Sequence, residues 1–324
     1  MGQHLPVSLQ ERNTMHRIAA VVVGLSLAFV GTSATIAATI NVPGDYALIQ
    51  DAIDASSDGD VIDIAAGTYY ETGLDLLGKL ITVRGQLDAG GTPLSVIDGQ
   101  GAAQALMGCY SGESISTVIA NLHFTNGGGL FFYLNSSATV NNCLFTNNYN
   151  SIYGGATTAY AGCSPSYNDC TFRNNEAARF GGAVLSTYNC YPTFTRCIFE
   201  ENHAGKGGGA IASYQSSTYF ECVIRDNTTD GGGGGIYTTI YLEYLMDTLV
   251  CGNIPTQIGG SWTDNGGNCV QDSCDDCETP CPGDIDGSGT VNVTDLLTVI
   301  GSWGNPYDVG DLLLVISEWG STCP

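Results

Sequence analysis

The sequence predicts an all-β solenoid of stacked coils with a short helical cap at its amino end, followed by a small helical domain built on a calcium-binding loop. Three observations carry that expectation. The segments Cys143-Leu-Phe145-Thr-Asn-Asn148, Cys170-Thr-Phe172-Arg-Asn-Asn175, Cys197-Ile-Phe199-Glu-Glu-Asn202 and Cys222-Val-Ile224-Arg-Asp-Asn227 recur every 25 to 27 residues, with a faded copy at Val250-Cys251-Gly-Asn253. A period in this range marks a unit that cannot bury its own apolar face and must stack on its neighbours. Composition agrees, because 44 glycines among 324 residues with a 13% charged fraction describe strands and tight turns rather than helices. The third observation is an acidic loop with regular oxygen spacing at residues 284–295, followed by an apolar helical pattern.

The chain opens with Arg17, an apolar run from Ile18 to Val30, and the small residues Ala34, Ala37 and Ala38. This is the pattern of a secretory leader over residues 1–38, and it places the protein outside the cell or on its surface. The apolar run is too short to span a bilayer, so no transmembrane segment is expected in the mature chain. A net charge of −23 disfavours nucleic acid and anionic membranes as partners, since phosphate binding needs a basic footprint.

The β domain is expected over residues 39–268. Ala47 to Ala55 carries apolar residues at helical spacing, and Gly59-Asp60-Val-Ile-Asp-Ile64 then alternates before Gly67-Thr-Tyr69-Tyr-Glu71. This segment resembles the amino-terminal cap of right-handed parallel β-helix proteins of the pectin-lyase-like superfamily, in which a short helix plugs the open end of the core. Lys79 to Gly85 and Ser95 to Gly99 fit the first full coils of such a fold. The Phe-x-x-Asn and Gly-Gly-Ala elements, including Gly181-Gly182-Ala183 and Gly208-Gly209-Ala210, resemble the repeats of polymorphic outer-membrane proteins. Both resemblances imply architecture rather than chemistry.

Within the repeat each position has a structural role. Phe145, Phe172, Phe199 and Ile224 are expected to point inward as a core column. Asn148, Asn175, Asn202 and Asn227 are expected to occupy a left-handed turn and to hydrogen-bond from coil to coil. Cys143, Cys170, Cys197 and Cys222 form a column of small inward residues. Cys163 and Cys190 form a second column, and both free thiols and cross-coil bridges suit stacked positions of this kind.

The mature cations are Lys79, Arg84, Arg173, Arg179, Arg196, Lys206 and Arg225. Arg173 and Arg225 share one repeat position with Glu200, beside Glu201 and Asp226, and are the candidates for the base of a polysaccharide lyase. An alternating ladder of surface charge accounts for the same residues without catalysis. Tyr188, Tyr191, Tyr214, Tyr219, Tyr237, Tyr241 and Tyr244 crowd the middle coils, where outward rings would suit a sugar face.

Residues 269–281 form a Cys-rich linker. Cys269, Cys274, Cys277 and Cys281 have a spacing that thiolate zinc chemistry would accept, but in an exported chain disulfides are the preferred reading. In the tail, residues 282–324, Asp284, Asp286, Ser288 and Asp295 supply side-chain oxygens at positions 1, 3, 5 and 12 of an EF-hand loop. Thr290 supplies the carbonyl at position 7, and Asn292 acts at position 9 directly or through water. This loop and the helix after it, partly repeated at Asp308 to Gly320, resemble a dockerin type I module, which implies calcium-dependent docking to a cohesin-like protein. The second copy has lost its loop, so one calcium site is expected. Cys281 and Cys323 bracket the module in positions to clasp its ends. The preferred function is a non-catalytic rod that binds carbohydrate or a surface and carries a docking tail; the alternatives are a polysaccharide lyase or other carbohydrate-active β-helix enzyme of polysaccharide catabolism, and a purely structural surface protein.

Overall fold

The computed structural model describes residues 37–277, 285, 288, 290–302, 309–317 and 319–320. All but the last two residues of the expected leader lie outside the described residues. Two units are distinguished, Met1–Ile36 and Ala37–Pro324, and the second is described below.

From Thr39 to Gln271 the chain winds as a parallel β-solenoid. One coil illustrates the path: strand Thr139–Asn141, strand Leu144–Thr146, the short strand Tyr149–Asn150, strand Thr157–Tyr160, then Ser166–Asn168 beneath the first. Corresponding strands of successive coils align into a first sheet of ten strands, a second of eight containing Thr157–Tyr160, a third of nine containing Leu144–Thr146, and a narrow fourth of four. The pairings are parallel and in register, as in Leu144↔Thr171, Phe145↔Phe172 and Thr146↔Arg173. Strands of two to four residues suffice because each needs only one or two inward side chains.

The helix expected near Ala47–Ala55 forms as α1, Ile49–Ala55, and buries Ile49, Ala52 and Ile53 against the first coil. Charged groups satisfy both of its ends. The Glu71 carboxylate accepts from the N–H groups of Ile49 and Gln50 at 2.8 and 3.1 Å. Lys79 Nζ donates to the carbonyls of Ile53, Asp54 and Ser56 at 2.6, 2.9 and 2.8 Å. Negative charge at the amino end and positive charge at the carboxyl end both oppose the helix dipole.

The phenylalanine column is present and begins one coil earlier than the repeat suggested. Phe124, Phe145, Phe172 and Phe199 stack with centroid separations of 5.1, 4.7 and 4.6 Å, near the spacing of parallel strands. A second stack, Tyr167, Phe194 and Tyr219, comes from the first sheet and meets Phe172 and Phe199 edge-on. Tyr219, one of the tyrosines that crowd the middle coils, is therefore a core residue.

The asparagine ladder is buried and continuous. Asn175 Oδ1 accepts from the backbone N–H and Nδ2 of Asn148, and the pattern repeats through Asn202, Asn227 and Asn253 to Gln257 Oε1. One expectation is corrected. The left-handed residue is the one before each ladder asparagine: Asn147, Asn174, Glu201, Asp226 and Gly252 have φ of 54°, 53°, 56°, 55° and 63°. The corner turns on that residue, and the following asparagine is thereby aimed inward, where water cannot compete for its amide. The cysteine column follows the same rule, because Asn142, Asp169, Arg196 and Glu221 are left-handed and precede Cys143, Cys170, Cys197 and Cys222. At the third corner a Cβ on Gly182 would lie 2.0 Å from the carbonyl oxygen of Gly209, so only glycine fits between the coils.

Among the described residues seven cysteines are free and buried: Cys109, Cys143, Cys163, Cys170, Cys190, Cys197 and Cys222. At the carboxyl end of the solenoid Cys269–Gln271 adds a strand to the third sheet, three residues beyond the expected boundary at 268. Cys251–Cys274 and Cys269–Cys277 are disulfides, which removes three of the four expected linker thiols from any zinc site. Cys281 and Cys323 lie outside the described residues.

The tail has its own small core. Helix α2, Val293–Gly301, and helix α3, Val309–Ser317, bury Val299 and Val315 with Val291, packed by Ile285, Leu296 and Leu312.

Candidate functional site

Parallel registration decides what the outer faces of the coils present. On the third sheet one outward row reads Asp98, Thr125, Thr146, Arg173, Glu200, Arg225 and Cys251. Arg173 Nη2 makes a short ion pair with Glu200 Oε1, while Arg225 reaches Glu200 Oε2 from the other side through Nη2 at 2.8 Å and Nε at 3.2 Å. Glu200 lies between two guanidinium groups and is nearly buried by them. Hydrogen bonding to Glu200 pushes Arg225 further above its already high value. A guanidinium held this way resists the deprotonation that a catalytic base requires. At the corner between the first and third sheets Arg196 Nε is paired with Asp169 at 2.7 Å. These pairs form the mixed-charge ladder, and neither Arg173 nor Arg225 lines any of three surface clefts found on the solenoid.

The two histidines of the described chain are also engaged in the coils. His123 Nε2 meets Thr146 Oγ1 at 2.7 Å, and burial lowers its pKa, favouring the neutral ring. His203 Nδ1 meets Thr228 Oγ1 at 2.9 Å.

The second sheet is different. Strand Leu130–Tyr133 alternates, so Leu130 and Phe132 enter the core while Phe131 and Tyr133 face out. Tyr133 pairs in register with Tyr160 on the next coil, and Tyr188 follows Thr187 on the one after. Tyr110 flanks this row, and Tyr153 reaches it from the glycine corner. The rings form one continuous surface: Tyr110–Phe131 6.1 Å, Phe131–Tyr133 6.2 Å, Phe131–Tyr153 5.4 Å, Tyr133–Tyr160 5.8 Å, Tyr153–Tyr160 6.2 Å and Tyr160–Tyr188 4.8 Å between centroids. Tyr188 is 61% exposed and Tyr133 36%. Beside them opens a cleft of about 330 Å³ lined by Tyr110, Phe131, Tyr153, Gln104, Asn150 and Ile152 among others, with no carboxylate and no cation in its wall. Flat apolar rings beside neutral amides suit a ligand with alternating C–H faces and hydroxyls.

Sequence reasoning placed the aromatic density further along. Of the tyrosines it singled out, Tyr188, Tyr191, Tyr241 and Tyr244 are exposed, and Tyr214 and Tyr237 are half-buried in a group with Phe180. Tyr110, Phe131, Tyr133, Tyr153 and Tyr160 were missed. Their signal is the strand Leu130-Phe-Phe-Tyr133, whose alternation sends two rings outward, and the recurrence of Tyr133 at Tyr160 one repeat later.

In the tail, Asp284 and Asp286 lie outside the described residues. Ser288 Oγ donates to the carbonyl of Thr290 at 3.4 Å, and Asn292 Nδ2 donates to the same carbonyl at 2.7 Å, so positions 5, 7 and 9 of the loop converge. Asn292 is also the N-cap of α2: its Oδ1 accepts from Thr294 N–H at 2.8 Å, and its own N–H donates to Asp295 Oδ2 at 2.8 Å. This reciprocal box leaves the side chain of Asp295 fully buried. The donor set is hard oxygen throughout and fits calcium, with Asn292 committed first to capping. Helix α2 exposes Val293, Leu297 and Ile300, and α3 exposes Val309, Leu313 and Ile316 at the same spacing, so each helix carries an unburied apolar stripe.

The profile of the Chlamydia polymorphic membrane protein (Chlamydia_PMP) repeat matches residues 169–187, 196–214 and 221–239. No curated protein matches the chain. Among solved structures, the pectin methylesterase from Aspergillus niger aligns over 73% of this chain and 84% of its own, at 15% identity and a TM-score of 0.37. The PL6 family alginate lyase AlyGC aligns over 73% of this chain and 39% of its own, at 14% identity and a TM-score of 0.34.

Proposed function

We propose that this chain is a non-catalytic recognition rod of the cell surface or extracellular space, with the aromatic face of its second sheet stacking on a polysaccharide and its tail docking to a protein partner. The observation that carries the reading is the six-ring outward surface with its uncharged cleft. An isolated exposed tyrosine needs no explanation, but a contiguous aromatic patch on a chain of net charge −23 does. The matched repeat, described for a polymorphic membrane protein, supports surface placement. The engagement of Arg173 and Arg225 with Glu200 supports binding over a lyase reaction.

The tail is read as a dockerin-like module with one calcium held by Asp284, Asp286, Ser288, Thr290 and Asp295. Calcium would organise the loop ahead of α2. The paired apolar stripes of α2 and α3 would then meet a cohesin-like surface.

Retention on a panel of neutral and acidic polysaccharides, in calcium and in chelator, tests the reading. Tyr133→Ala with Tyr160→Ala should weaken retention by about tenfold or more, two stacked rings contributing on the order of 1 kcal/mol each. Chelation should leave glycan retention intact, because the tail is remote in sequence from the rings. Release of unsaturated sugar ends would establish a lyase instead, and indifference to every glycan would favour the structural role.

A further inference from the structure

Cys163 and Cys190 occupy one position in successive coils, at the corner leading from the second sheet to the first. Tyr160 pairs in register with Thr187, and Gly162 N–H donates to the carbonyl of Tyr188 at 2.8 Å, so the two cysteines stand one above the other. Adjacent coils separated by about 4.8 Å fall within the Cα range that a disulfide spans, about 4.4–6.8 Å. The hydrogen bonding here differs from that of every other thiol in the core. Cys163 N–H donates to Cys190 Sγ at 3.2 Å rather than to a carbonyl, while Cys163 Sγ donates to the Tyr160 carbonyl at 3.2 Å. Cys190 Sγ thus accepts from its neighbour's backbone while itself donating to the Tyr188 carbonyl at 3.8 Å.

We infer that Cys163 and Cys190 are an oxidisable dithiol, converted to a cross-coil disulfide by exchange with an external disulfide such as oxidised glutathione. Cys190, as thiolate, attacks one sulfur of the donor, forming a mixed disulfide and releasing one donor thiolate. Cys163 then loses its proton to solvent and attacks Cys190 Sγ. The cross-coil S–S bond forms as the second donor thiolate leaves. Two electrons pass from the protein sulfurs to the donor, and both thiol protons go to solvent. Hydrogen bonding between the two side chains lowers Cys190 and raises Cys163, which makes Cys190 the first thiolate.

The column of Cys143, Cys170, Cys197 and Cys222 provides the internal contrast. It is stacked in the same way, but each thiol donates to a carbonyl of the preceding coil, at 3.8, 3.4, 3.5 and 3.4 Å. Burial pushes Cys170 and Cys197 well up, and Cys222 is raised chiefly by its bond with Cys197. Cys170, Cys197 and Cys222 therefore stay protonated. The chain already carries disulfides at Cys251–Cys274 and Cys269–Cys277, so an oxidising environment suits it. Both Cys163 and Cys190 are buried, so exchange occurs while the corner at 161–164 is open, during folding or local opening.

The test is refolding of the full chain in oxidised glutathione, alkylation of the remaining thiols, and mapping of unreduced peptides by mass spectrometry. The expected result is one additional cross-link, Cys163 to Cys190, with the four column cysteines recovered alkylated. In Cys163→Ser the glutathione adduct should accumulate on Cys190, roughly fivefold or more above the adduct on Cys163 in Cys190→Ser. The wild-type map stands alone if either variant fails to fold. Recovery of Cys163 and Cys190 as free thiols, or their oxidation no faster than the column, would overturn the inference.

Discussion

Asn202 sits mid-ladder with every polar atom of its amide used. Its Oδ1 accepts from Asn175 N–H and Nδ2 at 3.0 and 2.9 Å, and its Nδ2 donates to Phe172 O and Asn227 Oδ1 at 2.9 and 2.9 Å. Asn202→Ala leaves several of these partners buried and unpaired, at a cost of about 3 kcal/mol or more in urea denaturation. Asn174→Ala, at the left-handed position just before the ladder residue Asn175, should cost no more than about 1–2 kcal/mol of backbone strain. Glu243 is the opposite case, a carboxylate lodged in the core. Its Oε2 accepts from Ser217 N–H at 3.0 Å and the Tyr219 hydroxyl at 3.2 Å, while Oε1 is the one buried side-chain oxygen without a partner among the described residues. Burial raises it from 4.5 to about 7. Between those values the folded protein holds a proton that the unfolded chain has released, so stability falls as pH rises through this window and stays lowered above it. Glu243→Gln should therefore stabilise the protein at pH 8 by about 3 kcal/mol, with the gain fading toward pH 4.5. The asparagine ladder was legible because its residues recur. Glu243 was not, because a single acid in an apolar run reads as an outward residue until register places it inside.

At the scale of elements, recurrence again separates what could be read from what could not. The cap helix was legible from apolar spacing, but its anchoring was not, since Glu71 and Lys79 reach it from later coils. Lys79 counts in the sequence as one of few cations, and in the fold it serves three helix carbonyls. Lys79→Met should expose those carbonyls at a cost of about 2 kcal/mol. Hydrogen exchange should then show faster opening of α1 while the middle coils keep their protection; uniform loss across the coils would deny Lys79 a local role. The aromatic face was misplaced because tyrosine density along the chain says little about which side of a strand each ring takes. Tyr219 and Tyr244 lie in neighbouring strands of the first sheet, yet one is in the core and the other in solvent.

For the described chain as a whole, a solenoid has stability that is close to a sum of coils and their interfaces. No side chain in the middle of the rod answers directly to events several coils away. The tail buries Val291, Val299 and Val315 in a cluster separate from the core that runs through the coils. If calcium is held in the loop before α2, its binding energy belongs to that cluster alone. At a hundredfold excess over its dissociation constant the ion would add about 2.7 kcal/mol to the unit that binds it. Calorimetry of the full chain should then resolve a minor transition that rises with calcium and falls in chelator, beside a major one that is unmoved. Asp295→Asn should abolish the calcium response of the minor transition, whereas Tyr133→Ala with Tyr160→Ala should change neither and affect only glycan retention. One cooperative transition shifting as a whole with calcium would mean that the tail and coils unfold together, and would remove the separation of docking from recognition on which the proposed function depends.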